Sequence, residues 1–293
     1  SAYLPGYQLH SSLLISNVLR SSVECCDTVF FAIPSGSFRD VAKQVNPWIT
    51  SGTFVVSTAK GIEAETFLLP SQVLEEELPD CTVGVISGPN LAKEIANFEI
   101  TATVVASEDD LFCEHIQSLL VSDYFRVYPN HDRFGVELAG ALKNIYAIVA
   151  GIADAMGVGQ NTKSVMLTRS LAEMSRFAVK FGANPLTFLG LSGIGDLYVT
   201  CSSPLSRNFR IGFALGSGQT LNDAVSKVGQ IAEGVNTTRL VVEKAEELGL
   251  YMPLASALYA TLFKQRPIKE SLREMMLADQ KKDVEFMVKS NGG

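Results

Sequence analysis

Moving a proton to or from a reacting oxygen takes an acid or base held out of bulk water and a partner that keeps it aimed, and two segments of this chain offer that combination. The first, Gly135 to Gly157 (GVELAGALKNIYAIVAGIADAMG), reads as a helix with only three charged residues, Glu137, Lys143 and Asp154. Lys143 has no acidic residue three or four places away. Its neighbours on the same face are Ala139, Gly140, Tyr146 and Ala147, small enough to let another element pack close. The spacing predicts a half-buried ammonium, a candidate general acid or base because desolvation lowers an ammonium's pKa. The second segment, Gly190 to Gly212 (GLSGIGDLYVTCSSPLSRNFRIG), places Asp196 among glycines and apolar residues, followed by Ser206, Arg207 and Asn208. Read alone it is first a glycine-rich turn with an Asx cap and a solvated arginine. Beside the Lys143 helix it reads as a ligand-holding loop in which Asp196 is the counter-charge and the arginine fork meets a phosphate or carboxylate.

Composition narrows the ligand. With 293 residues, 47% hydrophobic and a formal net charge of −7, the chain can bury a large core and lacks the basic field of a nucleic-acid or anionic-membrane binder. A small anion held by a few local cations is the expected ligand. The five cysteines, Cys25, Cys26, Cys81, Cys113 and Cys201, show no CxxC spacing, and the three histidines are not placed for a tetrahedral site, so no metal is expected. An odd number of cysteines fits free thiols in a reducing, cytoplasmic setting. No apolar run approaches the ~20 residues of a membrane span, and no signal peptide is readable.

The elements that must position these residues fall into two halves. From residue 28 the pattern alternates: strands over Thr28–Ile33, Thr53–Thr58, Thr82–Ser87, Thr101–Ala106 and Tyr124–Pro129, with helices over Ser37–Ile49, Phe67–Glu77 and Leu111–Val121. This is the rhythm of a parallel α/β sheet. The turn-rich Pro129–Arg133 marks the boundary between a domain over 1–133 and another over 134–293. After it the sequence reads as helices: the Lys143 helix, then Lys163–Phe181, Ile211–Leu215, Leu221–Val228, Gly234–Leu248, Leu254–Phe263 and Ile268–Leu277.

In an open parallel sheet, ligands bind at the C-terminal ends of the strands. Those ends carry Pro34 and Ser35, then Lys60 and Gly61, then Gly88, Pro89 and Asn90. Lys60 is a surface lysine at a turn or a ligand contact. Asn90 serves either the site or as N-cap of a helix over Leu91–Ala96 with Glu94 in its first turns.

Eight motifs, in order, resemble the bacterial-type NAD(P)-dependent glycerol-3-phosphate dehydrogenases: YLPG (Tyr3–Gly6), AIPS (Ala32–Ser35), STAKGIE (Ser57–Glu63), ISGPNLAKE (Ile86–Glu94), GVELAGALKNIYAI (Gly135–Ile148), GIGDLYVTC (Gly193–Cys201), SRNFRIG (Ser206–Gly212) and AEGV (Ala232–Val235). The resemblance implies a doubly wound, mostly parallel, Rossmann-like sheet that is N-terminally incomplete. An all-α domain of the 6-phosphogluconate dehydrogenase C-terminal type follows it. It also implies NAD or NADP as cofactor, reversible reduction of dihydroxyacetone phosphate for phospholipid synthesis, and a homodimer. Lys143 matches the catalytic lysine and Asp196 the carboxylate beside it. Lys60, Gly88, Asn90, Ser206, Arg207 and Asn208 fall at substrate positions, and Pro34, Lys60, Ala92, Arg207, Ile231 and Glu233 at cofactor positions. Asn90 departs from the family's Ser or Thr.

One part of the pattern is missing: no strand followed by GxGxxG opens the sequence, and GLSGIG (Gly190–Gly195) lies in the helical half. The resemblance places about 50 further residues ahead of YLPG, rather more than one βαβ unit, with the pyrophosphate turn and the residue that separates NAD from NADP. A sheet without them is expected to expose two unpaired edges and apolar side chains such as Val29, Phe30 and Phe31. Two alternatives stand beside the main reading: a reductase of the same architecture acting on ketopantoate or a 3-hydroxy acid, and a non-catalytic phosphometabolite-binding or oligomerisation module.

Overall fold

The computed structural model describes residues 6–229, 233–267 and 270. The chain divides into two compact units, Ser1–Glu137 and Leu138–Gly293. In the first, α1 (Leu19–Val23) leads to β1 (Thr28–Phe31), α2 (Phe38–Val45), β2 (Phe54–Ser57), α3 (Pro70–Glu77), β3 (Thr82–Ser87), α4 (Ala92–Ala96), β4 (Thr101–Ala106), α5 (Asp110–Leu120) and β5 (Phe125–Asn130). The five strands lie in sequence order, β1-β2-β3-β4-β5.

Alternation along the strands sends apolar residues to both faces. On β2, Val55 joins a core with Phe31, Phe38, Val45, Leu74 and Leu78, while Val56 joins one with Val105, Phe112, Ile116 and Val127. Residues of α2 and α3 thus supply one face and residues of α5 the other, which makes the sheet doubly wound. Phe31 and Phe38 meet with ring centroids 5.7 Å apart, and burying an aromatic ring of this size contributes roughly 2 kcal/mol.

All neighbouring strands are parallel except β3 and β4, which pair antiparallel with Val85 opposite Ala106. The sheet is thus mostly parallel, as expected, with β3–β4 as its antiparallel pair. The five residues of α4 rise only about 7.5 Å, too short to carry the chain back along β3, so it re-enters in the opposite sense. One correction concerns β1, the end strand of the sheet. Phe30 is 40% exposed but Phe31 is buried and Val29 packs against the same core, so the exposed apolar surface is smaller than expected. Helix α1 was not legible, since its sequence LRSSV carries one buried residue.

The second unit is helical throughout its described residues. Helix α6 (Arg133–Ala155) begins at the end of the first unit, followed by α7 (Gln160–Lys180), a 3-10 turn at Pro185–Leu189, a π-turn at Leu191–Gly195, α8 (Asp196–Ser202), α9 (Arg207–Gly216), α10 (Leu221–Val228), α11 (Glu233–Glu247) and α12 (Pro253–Phe263). The helix expected over Ile268–Leu277 lies outside the described residues. With 23 residues, α6 reaches the length and apolarity of a membrane span, contrary to the sequence reading, but 94% of its most apolar window is buried within the protein. Its hydrophobicity is that of a core helix.

The stretch Gly190–Gly212, expected as a loop, is instead helical in most of its length. Gly212 at its end serves helix packing. A Cβ on Gly212 would lie 1.9 Å from the Ile148 carbonyl oxygen, and one on Gly151 would lie 2.0 Å from that of Phe209. Only glycine at both positions lets α6 and α9 cross in backbone contact.

Candidate functional site

Helix α6 presents Lys143 within the second unit at 6% exposure, deeper than the half-burial its neighbours predicted. Ala139, Ala141 and Ala147 around it are fully buried. An ammonium so placed needs partners, because its desolvation otherwise exceeds any packing gain. Two of them are Asp196 and Thr200: Lys143 Nζ donates to Asp196 Oδ1 and, at 2.6 Å, to Thr200 Oγ1. Thr200 in turn donates to Asp196 Oδ1 at 3.2 Å. Asp196, 1% exposed, is the first residue of α8, which continues directly from the π-turn, and Thr200 stands one turn further on the same face. Five residues of one helix, Asp196–Thr200, therefore span the acid and the hydroxyl that hold the amine.

Thr200 was missed in the sequence. Its signal is the Asp-x-x-x-Thr spacing of GDLYVT, which puts both side chains on one face only where the segment is helical. Cys201 follows it, and burial pushes its thiol up to about 12, so it is a wall rather than a nucleophile. A cavity of about 490 Å³ in this unit is lined by Cys201, Tyr146 and Phe209 among others, but not by Lys143 or Asp196.

The SRN segment opens α9. Ser206 is its N-cap, accepting from Phe209 N at 3.3 Å. Arg207 is exposed at the first helical position. Asn208 is buried, and both ends of its amide are engaged: Nδ2 donates to Asn144 Oδ1 at 2.9 Å and Oδ1 accepts from Gly234 N at 3.3 Å. Asn208 thus ties α9 to the residue after Lys143 and to the start of α11, where Glu233 is the first residue. Ile231 lies outside the described residues.

In the first unit, Lys60 follows β2 in an irregular loop, and its ammonium donates to the Gly88 carbonyl at 3.0 Å. Gly88 has φ +156°, and a Cβ there would lie 3.1 Å from Thr103 Cα. Asn90 is not a helix N-cap: that position is Leu91. The Asn90 side chain instead accepts from Thr103 Oγ1 at 2.8 Å and donates to the Ala102 carbonyl at 3.4 Å, because β4 returns beside it. Pro34 and Ala92 are exposed at the end of β1 and the start of α4.

Lys60, Gly88 and Asn90 are thereby grouped at the C-terminal ends of β2 and β3, and the Ser87 hydroxyl beside them is buried with no hydrogen-bond partner among the described residues. A cation and an unsatisfied hydroxyl at that edge suit a polar ligand of the kind such sheets bind. No glycine turn for a pyrophosphate is found among the strand ends of the described residues. Among those residues no group of three or more metal-ligating side chains occurs.

A doubly wound nucleotide-binding-type sheet followed by a helical unit that buries a lysine–aspartate pair defines the class of the two-unit dehydrogenases. The particular family follows from comparison with known proteins. Family models described as the N-terminus and the C-terminus of NAD-dependent glycerol-3-phosphate dehydrogenase match residues 1–113 and 132–273. The chain is 53% identical to glycerol-3-phosphate dehydrogenase (NAD(P)+) of Ectopseudomonas mendocina over 97% of its own length and 84% of that protein's. It is similar to the crystal structure of glycerol-3-phosphate dehydrogenase from Coxiella burnetii, with TM-score 0.90 and 35% identity over 94% of this chain and 84% of that one. A ketopantoate reductase from Ralstonia eutropha aligns with TM-score 0.51 at 15% identity over 88% of this chain and 79% of that one, a likeness of fold alone. The chain belongs to the NAD-dependent glycerol-3-phosphate dehydrogenase family.

Proposed function

We propose that this protein interconverts dihydroxyacetone phosphate and sn-glycerol 3-phosphate with NAD(P) as redox partner, supplying glycerol 3-phosphate for phospholipid synthesis. The observation that carries the reading is the Lys143–Asp196–Thr200 cluster, a buried proton donor with its acceptors in place, in a chain of this family. The nicotinamide supplies or accepts the hydride. Everything else falls to the protein. Lys143 gives its proton to the oxygen of the substrate carbonyl as that carbon is reduced, and its charge stabilises the developing alkoxide. Asp196 and Thr200 hold the amine aimed. Arg207, exposed at the opening of α9, takes the phosphate end, with the Ser206 and Asn208 backbone fixed by their own bonds.

Asn208 is buried and doubly bonded, which favours its acting by holding Asn144 and the start of α11. Lys60 and Asn90 contribute from the strand ends, Lys60 toward both substrate and cofactor. Pro34, Ala92, Ile231 and Glu233 complete the cofactor positions. The five cysteines, free in the structure, suit the cytoplasm, and the working form is a homodimer as the family resemblance implies.

The test is oxidation of NADH and of NADPH with dihydroxyacetone phosphate and, separately, with ketopantoate. Turnover with the phosphoester alone is expected, and turnover with ketopantoate alone overturns the reading. Lys143→Ala is expected to lower kcat by at least ~100-fold, the scale of losing a positioned acid, with little change in substrate binding. Retained turnover removes Lys143 from the mechanism.

A further inference from the structure

Apart from the bonds of its own amine, two further tethers act on the part of α6 that carries Lys143. Asn144 is bonded to Asn208 on α9. Tyr146, fully buried, donates its hydroxyl to Glu173 Oε2 on α7 at 3.1 Å. At about 100° per residue, Asn144 and Tyr146 leave the helix about 200° apart, on nearly opposite sides, and Lys143 projects between them. Of the side chains on the Lys143 face, Ala139, Gly140 and Ala147 are small, while Leu142, Ile145 and Ile148 are buried in the core. The two polar tethers add a direction that this small face does not supply by itself.

Glu173 is built to hold its end. It is 1% exposed, and besides the tyrosine it accepts from Leu254 N at 2.7 Å through Oε1 and from Ala255 N at 3.2 Å through Oε2. These are opening amides of α12, whose cap residue Met252 offers no side-chain acceptor and whose first position is Pro253. Helix amides at that end have no partner of their own. One carboxylate therefore fixes the tyrosine to the start of α12. Three donors converge on it, more than the single carbonyl of a glutamine can accept.

We propose that Glu173 is a positioning residue for the reaction, acting through Tyr146 to hold α6 in the one rotation and height at which the Lys143 ammonium reaches both Asp196 and Thr200. The inference rests on Lys143 being the proton donor. Its test compares Tyr146→Phe, Glu173→Gln and the double variant in the full chain, reading kcat and KM together with acetylation of Lys143 by acetic anhydride, quantified by mass spectrometry. The phenylalanine keeps the packing and removes only the hydroxyl, so this variant folds, as near-UV circular dichroism checks.

Expected for Tyr146→Phe are a kcat about 10-fold lower, an unchanged KM and Lys143 acetylated severalfold faster, because the amine spends more time out of its pair. The double variant is expected to lose no more kcat than the worse single one, since both break the same tether. Wild-type kcat and acetylation in Tyr146→Phe, or additive losses in the double variant, overturn the proposal. If Glu173→Gln does not fold, Tyr146→Phe decides alone. A Lys143→Ala variant that stays active sinks the underlying reading instead, and an inactive one beside a wild-type-like Tyr146→Phe sinks only this inference.

Discussion

At Lys143 the contest is between desolvation and pairing, and the acceptors Asp196 and Thr200 stand within reach to favour pairing. A lone buried ammonium costs several kcal/mol, and each charged hydrogen bond returns about 1.5–3 kcal/mol. Removing one acceptor is therefore felt. Thr200→Val keeps the shape of the side chain and deletes the 2.6 Å bond, and is expected to lower kcat about 10-fold while KM stays within a factor of two or three. A kcat equal to wild type would show that Asp196 alone aims the amine. Arg207 is expected to make the opposite pattern, because it lies at the exposed start of α9 and in the proposed function takes the part of the substrate that does not react. Arg207→Ala is expected to raise KM for dihydroxyacetone phosphate at least ~10-fold, as loss of a phosphate anchor does, and an unchanged KM removes it from the site.

The elements that carry these residues were legible where the signal was local. The apolar strand runs give β3 and β4 with their ends unchanged, and the small face of α6 points to Lys143. What stayed hidden was long-range. The sense of β4 depends on how far α4 can carry the chain, and the helical course of Gly190–Gly212 depends on α6 lying against it. Gly193 and Gly212, which read as turn formers, are there to admit a neighbouring backbone. Asn90 shows the same limit: its cap pattern was sound, but Thr103 on β4 claimed its side chain first. This view of the glycines is testable at the α6–α9 crossing. Gly212→Ala places a methyl 1.9 Å from the Ile148 carbonyl oxygen, so the helices must separate, at a cost of about 1–3 kcal/mol. The urea midpoint should fall, and KM should rise because Ser206, Arg207 and Asn208 move with α9. A variant as stable as wild type would mean that the crossing is looser than the structure shows.

Across the whole molecule, each unit contains a buried carboxylate whose proton affinity is set by its surroundings. Glu137 in the first unit, 2% exposed, accepts from the Ser71 amide and hydroxyl at the start of α3; burial pushes its pKa up to about 7, against the pull of those bonds and of Arg133. Glu173 in the second is likewise raised to about 7, chiefly by burial, with the Leu254 and Ala255 amides, Tyr146 and Arg176 opposing. A carboxyl whose folded pKa lies above its unfolded value binds its proton more tightly when folded. The stability it contributes is full below the unfolded pKa near 4.5 and is lost as pH rises through about 7. Glu63 runs the other way: the Arg39 guanidinium bonded to it lowers its pKa, so its contribution is present in neutral solution and is lost only as acid protonates it. Between pH 5 and 8 the two buried glutamates therefore set the slope, and each is worth on the order of 3 kcal/mol across its full window. Unfolding by urea at pH 5 and at pH 8 should show the protein more stable at the lower pH. Glu137→Gln and Glu173→Gln should each flatten that difference, because a glutamine does not titrate. Equal slopes in wild type and both variants would mean that these carboxyls titrate alike in the folded and unfolded chain, and that their bonds to α3 and α12 offset burial in full.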